Sequence, residues 1–259
     1  MPEISADGTA IHVEVEGPQD APDLMLSNSL GTNLHMWDDQ VPALTRHFRL
    51  VRFDRRGHGG SAVPKGPYSM ERLGRDALAV MDGLGIAKVN WCGLSMGGME
   101  GMWLGANAAS RIDKLILSNT ASYFPDRTMW DGRIEVARDK GLVALVDGTI
   151  ERWFTAEFRR RSPQAVARIR EMFLATDVEG YVGCGAAIRD MDNRSLLAKV
   201  SVPTLVIAGR HDMGTTLEAG QFIAERIPGA KLAVMETAHI ANVEQPQLYT
   251  DTVLGFLLA

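Results

Sequence analysis

Six short apolar runs, Leu24 to Leu26, Leu50 to Phe53, Val89 to Cys92, Leu115 to Leu117, Leu205 to Ala208 and Leu232 to Met235, are spread through the 259 residues. Apolar stretches of strand length without alternation are the mark of parallel strands covered on both faces, and parallel neighbours need helical crossovers. Helical spacing falls where such crossovers belong, at Trp37 to His47, Met70 to Leu84, Met96 to Ala109, Leu217 to Ile227 and Val243 to Leu258. The expected architecture is α/β: a mostly parallel, doubly wound sheet of about eight strands. Ahead of it, Ile11 to Glu16 alternates as a half-exposed strand, and Asp7-Gly8 reads as the hairpin turn of an antiparallel start.

Between Asn119 and Pro203 the alternation stops. Trp130 to Lys140, Leu142 to Phe158, Pro163 to Ala175 and Val178 to Met191 carry helical spacing with little strand character. The expected division is a core of residues 1–120 and 199–259 and a helical cap, or lid, of 121–198, lying over the C-terminal strand ends where open α/β sheets bind ligands. Twelve Lys and Arg balance twelve Asp and Glu from Ala121 to Ala198, so the formal charge of −5 resides in the rest of the chain. Cations for an anionic substrate are therefore sought in the cap, although most such arginines serve solvated helix faces.

An acidic balance gives no footprint for nucleic acid. No segment approaches about 18 uninterrupted apolar residues, and the start, Met-Pro-Glu-Ile-Ser-Ala-Asp-Gly, lacks the basic-then-apolar pattern of a signal peptide. Neither export nor a membrane span is expected. Two cysteines, Cys92 and Cys184, are too few for a disulfide framework and fit a reducing cytoplasm.

The chemistry starts at Gly93-Leu94-Ser95-Met96-Gly97, one serine between two glycines, after a strand-like run and before a helix-like one. That is the pattern of a nucleophile elbow, whose sharp turn leaves no room for bulk two residues before or after the serine. Ser95 is the candidate nucleophile. In this architecture an acid and then a histidine follow in chain order, each on a loop after a strand. His239 comes four residues after the last apolar run and before the last helical one, and is the expected base. Asp212, in the loop Gly209-Arg210-His211-Asp212-Met213, is the expected acid, with Glu236 as competitor. For the other histidines the expectations are solvent-facing positions at His12 and His47, and structural or pocket-lining ones at His35 and His58. Oxyanion donors are expected at the backbone N–H of Met96 and at that of Leu30, in the turn Ser27 to Thr32.

With these residues the chain resembles the α/β-hydrolase superfamily over essentially its full length. It departs from many members in having Asn28-Ser29 where they carry His-Gly. A narrower resemblance, to the 3-oxoadipate enol-lactonases, rests on Leu26-Ser27-Asn28-Ser29-Leu30-Gly31-Thr32, on Gly93 to Met99, and above all on Tyr181-Val182-Gly183-Cys184-Gly185-Ala186-Ala187-Ile188-Arg189-Asp190-Met191-Asp192. The resemblance implies a serine hydrolase that opens a five-membered enol lactone bearing an acetate side chain, in bacterial breakdown of aromatic compounds. It requires no metal or organic cofactor. The substrate is a small anion, and Arg189 and Arg133 are the candidates to hold its carboxylate, because a guanidinium fork binds a carboxylate bidentately. Trp130, Trp153 and Met191 are candidates for an apolar wall. A carboxylesterase, a perhydrolase or a carbon–carbon bond hydrolase on the same scaffold, or a ligand-sensing protein with slow turnover, also fits the motifs. The sequence leaves open whether the chain forms a homo-oligomer.

Overall fold

The computed structural model describes residues 3–259, so Met1 and Pro2, part of the N-terminal signal reading, lie outside the described residues. The strands are β1 (Glu3–Ala6), β2 (Thr9–Glu16), β3 (Asp23–Ser27), β4 (Arg49–Phe53), β5 (Val89–Leu94), β6 (Ile112–Ser118), β7 (Thr204–Gly209) and β8 (Lys231–Met235). They form one sheet in the order β1-β2-β4-β3-β5-β6-β7-β8. β1 and β2 pair antiparallel around the Asp7-Gly8 turn, β2 pairs antiparallel with β4, and every later pairing is parallel. The apolar runs occupy β3 to β8 as expected, with one difference in burial. β8 is an edge strand, and Leu232 and Val234 are 38% and 40% exposed, because only one side of it has a neighbour.

Chain order reverses at β3: β4 lies on one side of it and β5 on the other. Open α/β sheets place their ligand sites at such a switch point, outside the C-terminal strand ends. Here those ends are Ser27, paired with Gly93, and the turns that follow them.

Helices Met70–Gly83, Met96–Asn107 and Leu217–Arg226 fall where the spacing places them. Two expected helices outside the 119–203 segment are broken. The 37–47 segment is a 3-10 turn, Leu34–Trp37, and a single helical turn, Val41–Leu44, because Pro42 lacks the N–H that would continue a helix from Trp37 and sits in the first turn of a new one. Pro246 likewise divides the final segment into Ala241–Glu244 and Pro246–Leu257.

From β6 to β7 the chain runs through the helices Thr128–Lys140, Val146–Trp153, Ala156–Arg161, Pro163–Ala175, Val178–Asp190 and Arg194–Leu197. The expected continuous 142–158 helix is interrupted at extended Phe154, after which the Thr155 hydroxyl caps the next helix at the Phe158 N–H. The two ends of the segment are tied together by the Tyr123–Asp192 bridge and by the Asn193 N–H donating to the Ser122 carbonyl at 2.7 Å. Val178–Asp190 is buried over nearly its whole length and packs on the 54–61 loop. At Gly180, one residue ahead of the Tyr181–Asp192 motif, a Cβ would lie 1.9 Å from the Gly57 carbonyl oxygen, and at Gly183 within it 2.7 Å from the Tyr68 ring. Among the described residues no helix is long and apolar enough to cross a membrane. Cys92 and Cys184 are buried and unpaired.

Candidate active site

Ser95 joins β5 to the Met96–Asn107 helix with φ 58° and ψ −112°, outside the ordinary regions for an L-residue. Such a conformation costs on the order of 1–3 kcal/mol and persists only when its surroundings over-determine it. They do so here: the Ser95 N–H donates to the Ser118 carbonyl at 2.8 Å and the Thr120 hydroxyl to the Ser95 carbonyl at 2.7 Å. A Cβ on Gly93 would sit 2.0 Å from the Gly97 carbonyl oxygen, and one on Gly97 2.2 Å from that of Ser27. Both glycines of the motif are thus dictated by backbone contact.

His239 Nδ1 lies 2.7 Å from Asp212 Oδ2, with both side chains buried. The other carboxylate oxygen, Oδ1, accepts the N–H groups of Gly214 and Thr215 at 2.9 and 3.0 Å, an Asx turn that fixes the carboxylate plane. Oδ2 also accepts the Thr215 hydroxyl at 2.7 Å. Burial works to raise the Asp212 carboxyl, but the His239 imidazole and these hydrogen bonds outweigh it and hold the group below the usual carboxylate range. The Trp153 ring stacks on the imidazole, with centroids 6.3 Å apart, and the Trp153 carbonyl accepts the His239 and Ile240 N–H groups at 3.1 Å. Glu236 is exposed and pairs instead with Arg210 and His211, at 2.6 and 3.3 Å.

The N–H groups of Leu30 and Met96 donate no hydrogen bond among the described residues. Beneath this turn lies a buried network that the sequence reading did not foresee. Arg55 donates to the carbonyls of Asn28 and Ser29 at 2.7 and 3.1 Å and pairs with Glu100 at 2.9 Å. His58 Nε2 accepts the Gly31 N–H at 2.9 Å, which gives His58 a structural role directly beside Leu30. His12 is half-buried and His35 and His47 are exposed; His35 pairs with Asp38 at 3.3 Å, outside the cavity.

Burial, with the Arg55 charge second, lowers His58 from an ordinary value near 6.5 to about 3. A buried neutral histidine binds fewer protons than its unfolded counterpart between those values. Its contribution to stability is therefore complete above about pH 6.5 and is lost as pH falls toward 3, by up to about 1.4 kcal/mol per pH unit. The urea midpoint of the wild type is expected to fall more steeply on acidification below pH 6.5 than that of His58→Gln, which keeps an acceptor for Gly31. Parallel curves would assign the acid sensitivity elsewhere.

Ser95, Asp212 and His239 line one cavity of about 170 Å³, shared with Leu30, Trp130 and Trp153. Arg133 also lines it. Its guanidinium lies over Trp130, with the carbon 5.5 Å from the ring centroid, and donates to the Tyr181 hydroxyl from Nε and Nη2 at 3.0 and 2.6 Å. Two expected wall or anchor residues are not there. Arg189 is turned to the surface by two carboxylates, Asp131 at 3.0 Å and Asp190 at 2.8 Å, and Met191 packs into the core at 7% exposure without reaching the cavity. Arg152, Thr149 and Thr215 line the cavity and were not foreseen. Thr215 had a signal, the Asp-x-x-Thr spacing of an Asx turn. So had Arg152, three residues after Thr149 and beside Trp153 on one helix face.

The model of the α/β-hydrolase fold family matches residues 24–246. Over 250 residues the chain is 38% identical to 3-oxoadipate enol-lactonase 2 of Acinetobacter baylyi and 36% identical to enol-lactonase 1 of that organism, covering 96% of this chain and 94% of each relative. The crystal structure of the enol-lactonase from Burkholderia xenovorans LB400 superposes with a TM-score of 0.98 at 44% identity, covering all of both chains. The chain belongs to the α/β-hydrolase fold family, in the group of the 3-oxoadipate enol-lactonases.

Proposed function

We propose that the protein hydrolyses 3-oxoadipate enol-lactone to 3-oxoadipate, with Ser95 as nucleophile, His239 as general base and acid, and Asp212 as the group that orients and stabilises the imidazole. The full-length likeness to enol-lactonases supports the substrate. The observation that carries the reading is one cavity holding Ser95, His239 and arginine side chains together, an ester-cleaving group and a carboxylate-binding one in a single enclosure.

In this reading His239 Nε2 takes the Ser95 proton as Oγ attacks the lactone carbonyl, and the Leu30 and Met96 N–H groups receive the developing oxyanion. The ionised Asp212 accepts a hydrogen bond from Nδ1–H, which leaves Nε2 free for the serine. His239 has hydrogen bonds through Nδ1 to Asp212 and Thr215 and none to Ser95 among the described residues; in enzymes without substrate that contact is commonly long and tightens on binding. Collapse of the tetrahedral intermediate breaks the ring C–O bond. The departing enolate takes the proton from His239 and tautomerises to the ketone, after which His239 activates water to release the acyl group from Ser95.

Residues 121–198 serve in this reading as the cap, with Trp153 bringing its ring onto His239. The setting is a reducing cytoplasm, consistent with two buried, unpaired thiols, and the metabolic role is bacterial aromatic-compound breakdown. Steady-state kinetics on the enol lactone, a dienelactone and p-nitrophenyl acetate check it. The highest kcat/KM is expected on the enol lactone. A preference for the aryl ester would make the protein a general esterase, and turnover near one event per chain would make it a ligand-sensing one.

A further inference from the structure

Arg133 and Arg152 are two guanidinium groups in one cavity with no carboxylate within 4.0 Å of either among the described residues. Most other arginines of the chain are ion-paired, several of them twice. Like charges are not brought together in a half-buried place without cause, because each raises the free energy of the other. Burial first and the neighbouring Arg133 charge second lower the Arg152 pKa, against a smaller opposing effect of Tyr181 and Glu151. Below Arg133, the buried indole N–H of Trp130 has no partner among the described residues. Two cations without a carboxylate partner, side by side in one cavity, form a site for an anion.

Which arginine meets that anion follows from the hydrogen bonds. Arg133 uses its Nε and Nη2 edge, the one that matches a carboxylate's two oxygens, on the Tyr181 hydroxyl, and Nη2 donates again to the Thr149 hydroxyl at 3.1 Å. Only Nη1 is left. Arg152 has a single long contact, Nη2 to Thr149 at 3.5 Å, so its fork is uncommitted. We infer that Arg152 supplies the bidentate contact to the carboxylate of the substrate, while Arg133, fixed on Tyr181 and Trp130, adds charge and one further donor. The inference rests on the enol-lactone reading and changes its anchor. It gives Thr149 a purpose as well: its buried hydroxyl spaces the two guanidinium groups at a fixed separation.

The experiment uses Arg152→Met, Arg152→Lys and Arg152→Gln in the whole protein, with adipate as the probe anion. Arg152→Met is expected to raise KM for the enol lactone by about tenfold or more with a much smaller change in kcat, and to weaken competitive inhibition by adipate to a similar degree. The ratio of kcat/KM on the enol lactone to that on p-nitrophenyl acetate should drop about tenfold. Arg152→Lys should recover part of the loss, since it keeps the charge but not the fork, and Arg152→Gln should recover less. An unchanged ratio and unchanged adipate inhibition would overturn the inference, and so would equal losses on both esters, which would make Arg152 a structural prop. Adipate inhibition is read on p-nitrophenyl acetate hydrolysis, so it reports on Arg152 even if the enol lactone proves not to be the substrate.

Discussion

Ser95→Ala and His239→Ala are each expected to lower kcat on the enol lactone by at least about 10³-fold, and the double variant to be hardly worse than either single one. A nucleophile and its base act as one unit, so the second deletion removes what the first has already disabled. Neither change should unfold the protein. The Ser95 hydroxyl is absent from the contacts that hold the elbow, which come from its own backbone and from Gly93, Gly97 and Thr120. Steady-state kinetics on the four proteins, with circular dichroism as a control, gives the answer. Losses that add in the double variant would separate the two residues.

Asp212→Asn should cost about 10³ to 10⁴ in kcat, because an amide facing Nδ1 favours the wrong tautomer. The surroundings make the substitution worse than a simple loss of charge. Each carboxylate oxygen accepts two or more donors: Gly214 and Thr215 N–H on Oδ1, the Thr215 hydroxyl and His239 on Oδ2. An amide NH₂ placed at either position meets a donor, and the alternative is rotation of the imidazole away from its working position. Glu236→Gln is expected to leave kcat within about twofold of wild type, as suits an exposed group whose partners are surface side chains. The reverse ranking would move the acid to Glu236.

How much of this was legible before folding depends on whether a feature is local. The elbow was readable because its glycines are fixed by contacts within a few residues and with the neighbouring strand. Asp212 and His239 were readable from chain order, since parallel strands put every βα loop at one end of the sheet, and the structure brings the two within 2.7 Å. The helix expected at 37–47 does not form in one piece because Pro42 can begin a helical turn but not continue one. The composition of β8 matches that of central strands and predicts burial on both faces, but strand order, which makes it an edge, is not a local property.

The cavity arginines show the limit most clearly. Twelve basic residues lie between Ala121 and Ala198, and which of them face inward depends on how six helices settle on the sheet. Arg189, which stands in the most specific motif, is turned outward by Asp131, 58 residues away in sequence. The glycines of that motif serve close packing instead, Gly183 against the Tyr68 ring and Gly185 against Ile134. Arg152 went unnoticed beside Trp153, although Thr149, Arg152 and Trp153 share one face. Likewise, nothing near Leu30 in sequence announces that Arg55, Glu100 and His58 hold its turn from below.

That lactone opening takes place at Ser95 is tested most directly by titrating the enzyme with a fluorophosphonate and plotting residual enol-lactone hydrolysis against the fraction of chains labelled at Ser95, measured by peptide mass spectrometry. The expected line falls in proportion and reaches zero at one label per chain, and the enol lactone slows the labelling. Lactone hydrolysis that survives complete labelling of Ser95 would place the chemistry elsewhere in the molecule.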